Sequence, residues 1–259
     1  MQYSPGDFCV IAAVDDDAVL EQCLARSPDI ADGTLRLITL RNAKSMAQAY
    51  NDGLGQTSAT ICIFAHQDVY LPLGWLDRTV KVLSDLSNSH PDWLVCGPYG
   101  VRKNGNHVGR VWDVNMGREL GEAGFAPTAV ESLDELLLIL RREPQFRFDS
   151  KLPHFHLYGT DLVQTAWTTG HSALAVELPV VHNNRPWASL GGGYVDAYRY
   201  AVRKWRKRLP VFTTVCELSR NPLPLLRVRW RRRHINSRGE GLLGDAKSVA
   251  CEAGYEREK

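Results

Sequence analysis

No apolar run in this sequence approaches the ~20 residues that a membrane-spanning helix needs. The first residues, MQYSPGDFCV, lack the basic and long apolar regions of a secretion signal. Six cysteines (Cys9, Cys23, Cys62, Cys96, Cys216, Cys251) form no CxxC pair and no regular ladder. That argues against a disulfide framework and favours a reduced, cytoplasmic protein. There is no zinc knuckle, no aromatic RNA-binding strand, no P-loop, no internal repeat and no low-complexity segment, so nucleic acid is not an expected partner. A net charge of only +2 excludes a polyelectrolyte.

What is present is an ordinary globular balance, 44% hydrophobic and 23% charged over 259 residues, enough for a large core. FCVIAAV (8–14), LRLITL (35–40), TICIFAH (60–66) and WLVCGPYG (93–100) read as buried strands. Helical spacing falls between them, over 18–26, from Ser45 to Gly55, and after Pro72. That alternation predicts a mostly parallel sheet covered by helices. Residues 101–128 read as loops or a mobile insertion. Residues 131–142 (ESLDELLLILRR) fit helix or strand. A helix is expected over 159–170, a strand over 173–182 and a helix over 193–208; the chain beyond about 236 reads as frayed.

Ligands of open α/β sheets bind outside the carboxyl ends of the strands. Asp15–Asp17, His66–Asp68 and His182 fall at such ends. In extended chain, His66 and Asp68 face one side and Gln67 the other. A carboxylate there suits a divalent cation that bridges two phosphates. The alternatives are an aspartate that caps the following turn and a histidine satisfied within the core.

NAKSMAQAYNDGL, IFAHQDVYLPLGWL, FRFD, FHLYGTDL and PVVHNN, in that order, resemble the family-2-like glycosyltransferases of the GT-A fold. The subgroup resembled is the bacterial one whose strand-end motif reads His-Gln-Asp-Val. The resemblance implies a GT-A-like (Rossmann-like) α/β sheet flanked by helices over residues 1–210. Its nucleotide-sugar half is 1–100 and its acceptor half 101–210. Residues 211–259 form a basic, partly flexible extension.

The same resemblance implies donor contacts from Asp15, Asp16, Asn42, Asn51 and Gln67, with help to the diphosphate from Arg41 or Lys44. It implies Mn2+ or Mg2+ at Asp68, His182 and His66. His154, His156 and Tyr158 would meet the acceptor, and Asp161, at a helix start, would take the proton from its hydroxyl. Asp149 would be structural. The activity implied is sugar transfer from a nucleoside-diphosphate donor, by family weight a UDP-sugar, with inversion. Relatives carry Asp-x-Asp where this chain has His66 and Asp68. That departure sustains an alternative, a catalytically silent GT-A-like binding or assembly module.

YAVRKWRKRLP and LLRVRWRRRH mix Arg with Trp and Leu. Such a stretch suits an anionic membrane surface, which would place the protein at the inner face of the membrane beside a lipid-linked or other glycan acceptor. A solvated basic face or a partner interface is the alternative.

Overall fold

The computed structural model describes residues 2–184, 193–232 and 244–257. The chain enters through β1 (Phe8–Val14), whose residues are almost all buried, as a strand covered on both faces must be. Asp16 caps the short helix α1 (Asp17–Gln22) by accepting from the N–H groups of Ala18 and Val19. A single tight turn, Leu24–Arg26, and α2 (Pro28–Ala31) lead to β2 (Arg36–Arg41). Ser45 caps α3 (Met46–Gly55), and β3 (Ile61–Ala65) follows. β1 pairs parallel with both β2 and β3. Gly53 lets α3 lie close on β1, since a Cβ there would meet Ile11 and Leu40.

Next come β4 (Val69–Tyr70), α4 (Trp75–Ser89), β5 (Trp93–Gly97), β6 (Tyr99–Val101), β7 (His107–Asp113) and β8 (Arg118–Gly121). β9 (Thr128–Ala129), β10 (Ser132–Leu133), β11 (Leu137–Arg141), α5 (Tyr158–Thr168), β12 (Ser172–Ala175) and β13 (Val180–His182) complete the sheets. α6 (Tyr194–Lys204), α7 (Leu223–Arg232) and α8 (Ala246–Glu252) finish the described chain.

Two sheets result. The larger runs β2-β1-β3-β11-β5-β12-β9; the smaller runs β10-β6-β7-β13-β4, with β8 on β7. The architecture is the α/β one expected, a large sheet flanked by helices. Alternation along β1 divides the core: Cys9 and Ile11 face α3 and α5, while Phe8, Val10, Ala12 and Val14 face the α4 side.

One open reading is decided and three local expectations needed correction. The segment 131–142, which fits helix or strand by pattern, holds the strands β10 and β11: β11 is wedged antiparallel between β3 and β5, and Leu137–Leu140 are buried on both faces, which erases any period. Residues 101–128 are not merely loop, because β7 and β8 form an antiparallel hairpin. Gly109 (φ 145°) hides that strand from pattern reading; it allows contact with Pro98 and Tyr99 that a Cβ would block. The run 173–182 is two strands in different sheets, interrupted at Val176–Pro179. The tail is ordered over 244–257: Asp245 caps α8, and Tyr255 and Glu256 are buried. The rest of that stretch, 233–243, lies outside the described residues.

The tail also straps the smaller sheet. Glu256 Oε2 accepts from the Leu73 N–H at 2.7 Å and from the Tyr70 hydroxyl at 3.2 Å. Asn183 Nδ2 donates to the Gly244 carbonyl at 2.7 Å.

Candidate active site

The strand β3 stops at Ala65 because His66, Gln67 and Asp68 form a turn, closed by the Val69 N–H on the His66 carbonyl at 3.2 Å. Extended-chain alternation therefore does not apply, yet His66 and Asp68 still converge. β13 supplies the third member. Its register sets His182 beside Val69 of β4 and opposite Asp113 of β7. One ligand atom from each of His66, Asp68 and His182 lies within 4.8 Å of the others.

Asp68 Oδ1 is 3.5 Å from His182 Nε2 and 4.0 Å from His66 Nδ1. It is buried and accepts no hydrogen bond. A bare buried carboxylate oxygen is costly unless a positive charge answers it. The ring nitrogens on the far sides are already assigned. His66 Nε2 meets the Tyr158 hydroxyl at 2.7 Å, and that hydroxyl donates to the Glu135 carbonyl at 2.9 Å, so Nε2 carries the proton. His182 Nδ1 faces Asp113 Oδ2 at 3.4 Å. This leaves His66 Nδ1, His182 Nε2 and Asp68 Oδ1 turned inward, a donor set that fits a divalent cation.

The electrostatics agree. Burial opposes charge on His182, but Asp68 and Asp113 outweigh it and carry its pKa up to about 10. Burial would raise Asp68, but the two histidines hold it well below the usual carboxylate range. Burial lowers His66. In the metal-free protein, then, a proton on His182 supplies the positive charge. Asp113 went unnoticed in the sequence; its own Oδ1 takes the Met116 N–H at 2.9 Å and Oδ2 the Asn184 amide at 3.1 Å.

The residues matched to the donor divide. Gln67 points away from the triad. Its Oε1 accepts from the N–H groups of Asp15 (2.9 Å) and Asp16 (3.2 Å), and its Nε2 donates to the Asp15 carboxylate. Gln67 thus fixes the β1–α1 loop from below. Asp16 is the cap of α1, and Asn51 exchanges two 2.9 Å hydrogen bonds with the Phe148 backbone, so both act as fasteners. Arg41 pairs with Asp17. Asp15 and Asn42 are exposed, Asn42 with φ 58°.

Residues 9–203, more than half of the chain, match the profile described as Glycosyltransferase like family. The chain belongs to this family. A sequence from Fuscovulum blasticum, described as ATP synthase subunits region ORF 6, is 32% identical over 132 residues, 48% of this chain and 51% of that one. The match therefore spans about half the length of that relative. Among solved structures, S. aureus TarS 1-349 in complex with UDP-GlcNAc has a TM-score of 0.49 at 14% identity, over 76% of this chain and 66% of that one. The mannosyltransferase PcManGT from Pyrobaculum calidifontis, in complex with GDP-Man and Mn2+, has a TM-score of 0.46 at 13% identity, over 76% and 60%. Likeness at that level carries no argument about what this glycosyltransferase-like chain binds.

The segment before α5 is pinned by the Met46 N–H on the His154 carbonyl at 3.0 Å. His154 is exposed, with φ 64°, and its Nε2 lies 3.6 Å from Asp196. The His156 ring stands edge-on to Tyr194 at 5.5 Å. Tyr158 is buried and reaches the triad through His66, so it supports the cation set rather than an open surface.

Asp161 lies in the first turn of α5. It is 5% exposed, and both its oxygens are taken: Trp205 Nε1 donates to Oδ1 at 2.9 Å and Lys204 Nζ to Oδ2 at 2.9 Å. Lys204 also bonds Asp149 at 2.7 Å, and Tyr200 donates to the same Asp149 oxygen at 2.7 Å. Burial raises Asp161, with Lys204 opposing. This is a clamp between α5 and α6.

Proposed function

We propose that this chain transfers a sugar from a nucleoside-diphosphate donor, most simply a UDP-sugar, to an acceptor hydroxyl with inversion at the anomeric carbon. The observation that carries the reading is Asp68 Oδ1, buried without a hydrogen bond between His66 and His182. These three residues would hold Mn2+ or Mg2+, and two imidazoles in the set favour the transition ion. Bound there, the cation would neutralise charge on the leaving diphosphate. Gln67 would keep the Asp15–Asp16 loop shaped for the nucleoside, and Asp15 and Asn42, both exposed, are the donor contacts. His154, His156 and the exposed Phe155 would meet a glycan or lipid-linked acceptor.

α7 supports peripheral contact with an anionic membrane. Leu223, Leu226 and Trp230 are exposed at helical spacing, with Arg227, Arg229 and Arg231 between and beside them. No helix among the described residues is long and apolar enough to cross a membrane.

The second reading, a silent binding or assembly module, draws on the His182 proton, which already answers the Asp68 charge without a metal. Thermal melting with UDP, GDP or dTDP, with and without Mn2+, decides between readings. A Mn2+-dependent rise with one nucleotide, absent in Asp68→Ala, supports the donor site. No shift under any condition sinks it.

A further inference from the structure

Asp161 is 5% exposed and tied to Lys204 and Trp205, so a less buried carboxylate is the better candidate for the base. Glu135 lies in the turn between β10 and β11, one residue from the chain that touches the cation set. The Leu136 carbonyl accepts the His66 N–H at 2.9 Å, and the Glu135 carbonyl accepts the Tyr158 hydroxyl. Its carboxylate sits over the start of α5. Oε1 accepts the Gly159 N–H at 3.2 Å, and the N–H groups of Tyr158 and Leu157 also serve it.

Gly159 makes this position possible. A Cβ there would stand 2.8 Å from the Leu133 carbonyl and 3.1 Å from Glu135 Cγ. The helix start is thus bare of its own side chain, and Glu135 fills the space from a neighbouring element. The residue is half-buried rather than sealed. Its own carbonyl accepts the Tyr158 hydroxyl that meets His66, so the residue is linked to the cation set through one side chain.

We propose that Glu135, and not Asp161, takes the proton from the acceptor hydroxyl. This rests on the glycosyl-transfer reading above. The acceptor oxygen forms a bond to the anomeric carbon, and the bond from that carbon to the diphosphate oxygen breaks. The nucleoside diphosphate leaves with the electron pair, and the acceptor proton passes to Glu135. Burial raises the Glu135 carboxyl to about 8, even against its hydrogen bonds to the start of α5. A general base works best with a pKa near the operating pH. Asp161 becomes a structural residue.

The test uses the full chain, with Mn2+ and UDP-glucose, UDP-N-acetylglucosamine and GDP-mannose as donors. Nucleotide binding is read by melting temperature, and turnover by release of UDP or GDP with water or methyl glucoside as acceptor. Glu135→Gln should keep the nucleotide-dependent shift and lose about 100- to 10,000-fold in turnover. Glu135→Asp should recover part of that loss, with a displaced acid limb in the pH profile. Asp161→Asn should melt lower yet turn over within a few-fold of wild type per folded molecule. Undiminished turnover in Glu135→Gln, with the wild-type acid limb, would overturn the assignment alone. So would a folded, nucleotide-binding Asp161→Asn that has lost turnover. A wild type that shows no shift with any nucleotide overturns the transfer reading and this assignment together.

Discussion

Asp113 stands directly behind His182, its Oδ2 3.4 Å from Nδ1, held there by the parallel register of β7 and β13. A carboxylate in that place orients the imidazole and raises its basicity toward a cation on the far nitrogen. Asp113→Asn should therefore weaken Mn2+ binding by roughly 10- to 100-fold. Isothermal titration with Mn2+ checks this, and an unchanged affinity would remove Asp113 from the site.

Gln67 predicts a different pattern of loss. Its side chain is spent on the β1–α1 loop, where it holds two backbone N–H groups. Gln67→Ala should cost on the order of 1 kcal/mol in stability. Nucleotide affinity should fall while Mn2+ affinity stays. Denaturant melts and parallel titrations of UDP and Mn2+ separate the two, and equal losses in both would contradict the loop-holding role.

The half-buried Glu135 sets a direction for stability against pH. Its folded value, about 8, lies above its ordinary 4.5 because burial disfavours the charge. Between those values the folded chain retains a proton that the unfolded chain has released. The contribution is therefore fully present at low pH and is lost as pH rises from about 4.5 toward 8. Asp149 acts oppositely. Burial pushes it up, but Lys204 and Tyr200 hold it below the usual value, so its contribution is lost only as pH falls into the acid range. Urea melts of wild type and Glu135→Gln across pH 5 to 8 should differ in slope, with the variant flatter. Parallel curves would show that Glu135 titrates normally.

α7 gives a prediction at the surface. Replacing Leu226 and Trp230 together by Asp should reduce cosedimentation with vesicles containing phosphatidylserine and leave the fold intact, since both residues are exposed. Neutral vesicles should bind weakly throughout. Equal binding by variant and wild type would assign the basic face to another partner.

Much of the frame was legible because it is local. β1, β3 and α3 declare themselves through runs of buried residues and the Ser45 cap, and His66, Asp68 and His182 through their places at strand ends. Asp113 was hidden by its strand, whose Gly109 and Arg110 interrupt the apolar alternation. Glu135 was hidden in an acidic-apolar run that fits two structures equally. Asp161 shows the opposite limit of local spacing. A carboxylate in the first turn of a helix looks available, but Trp205 and Lys204, 44 and 43 residues further on, had claimed it. Contacts of that range leave no mark on local spacing.

The strap formed by residues 244–257 has a practical consequence for anyone producing this protein. A polar, arginine-rich tail invites removal to improve expression or crystals. Cutting at residue 240 would take away Glu256, which holds Tyr70 and Leu73, and the Gly244 carbonyl that anchors Asn183. Tyr70 lies two positions after Asp68, and Asn183 directly follows His182. A shortened version could express well, look inert, and be mistaken for evidence that the protein has no activity.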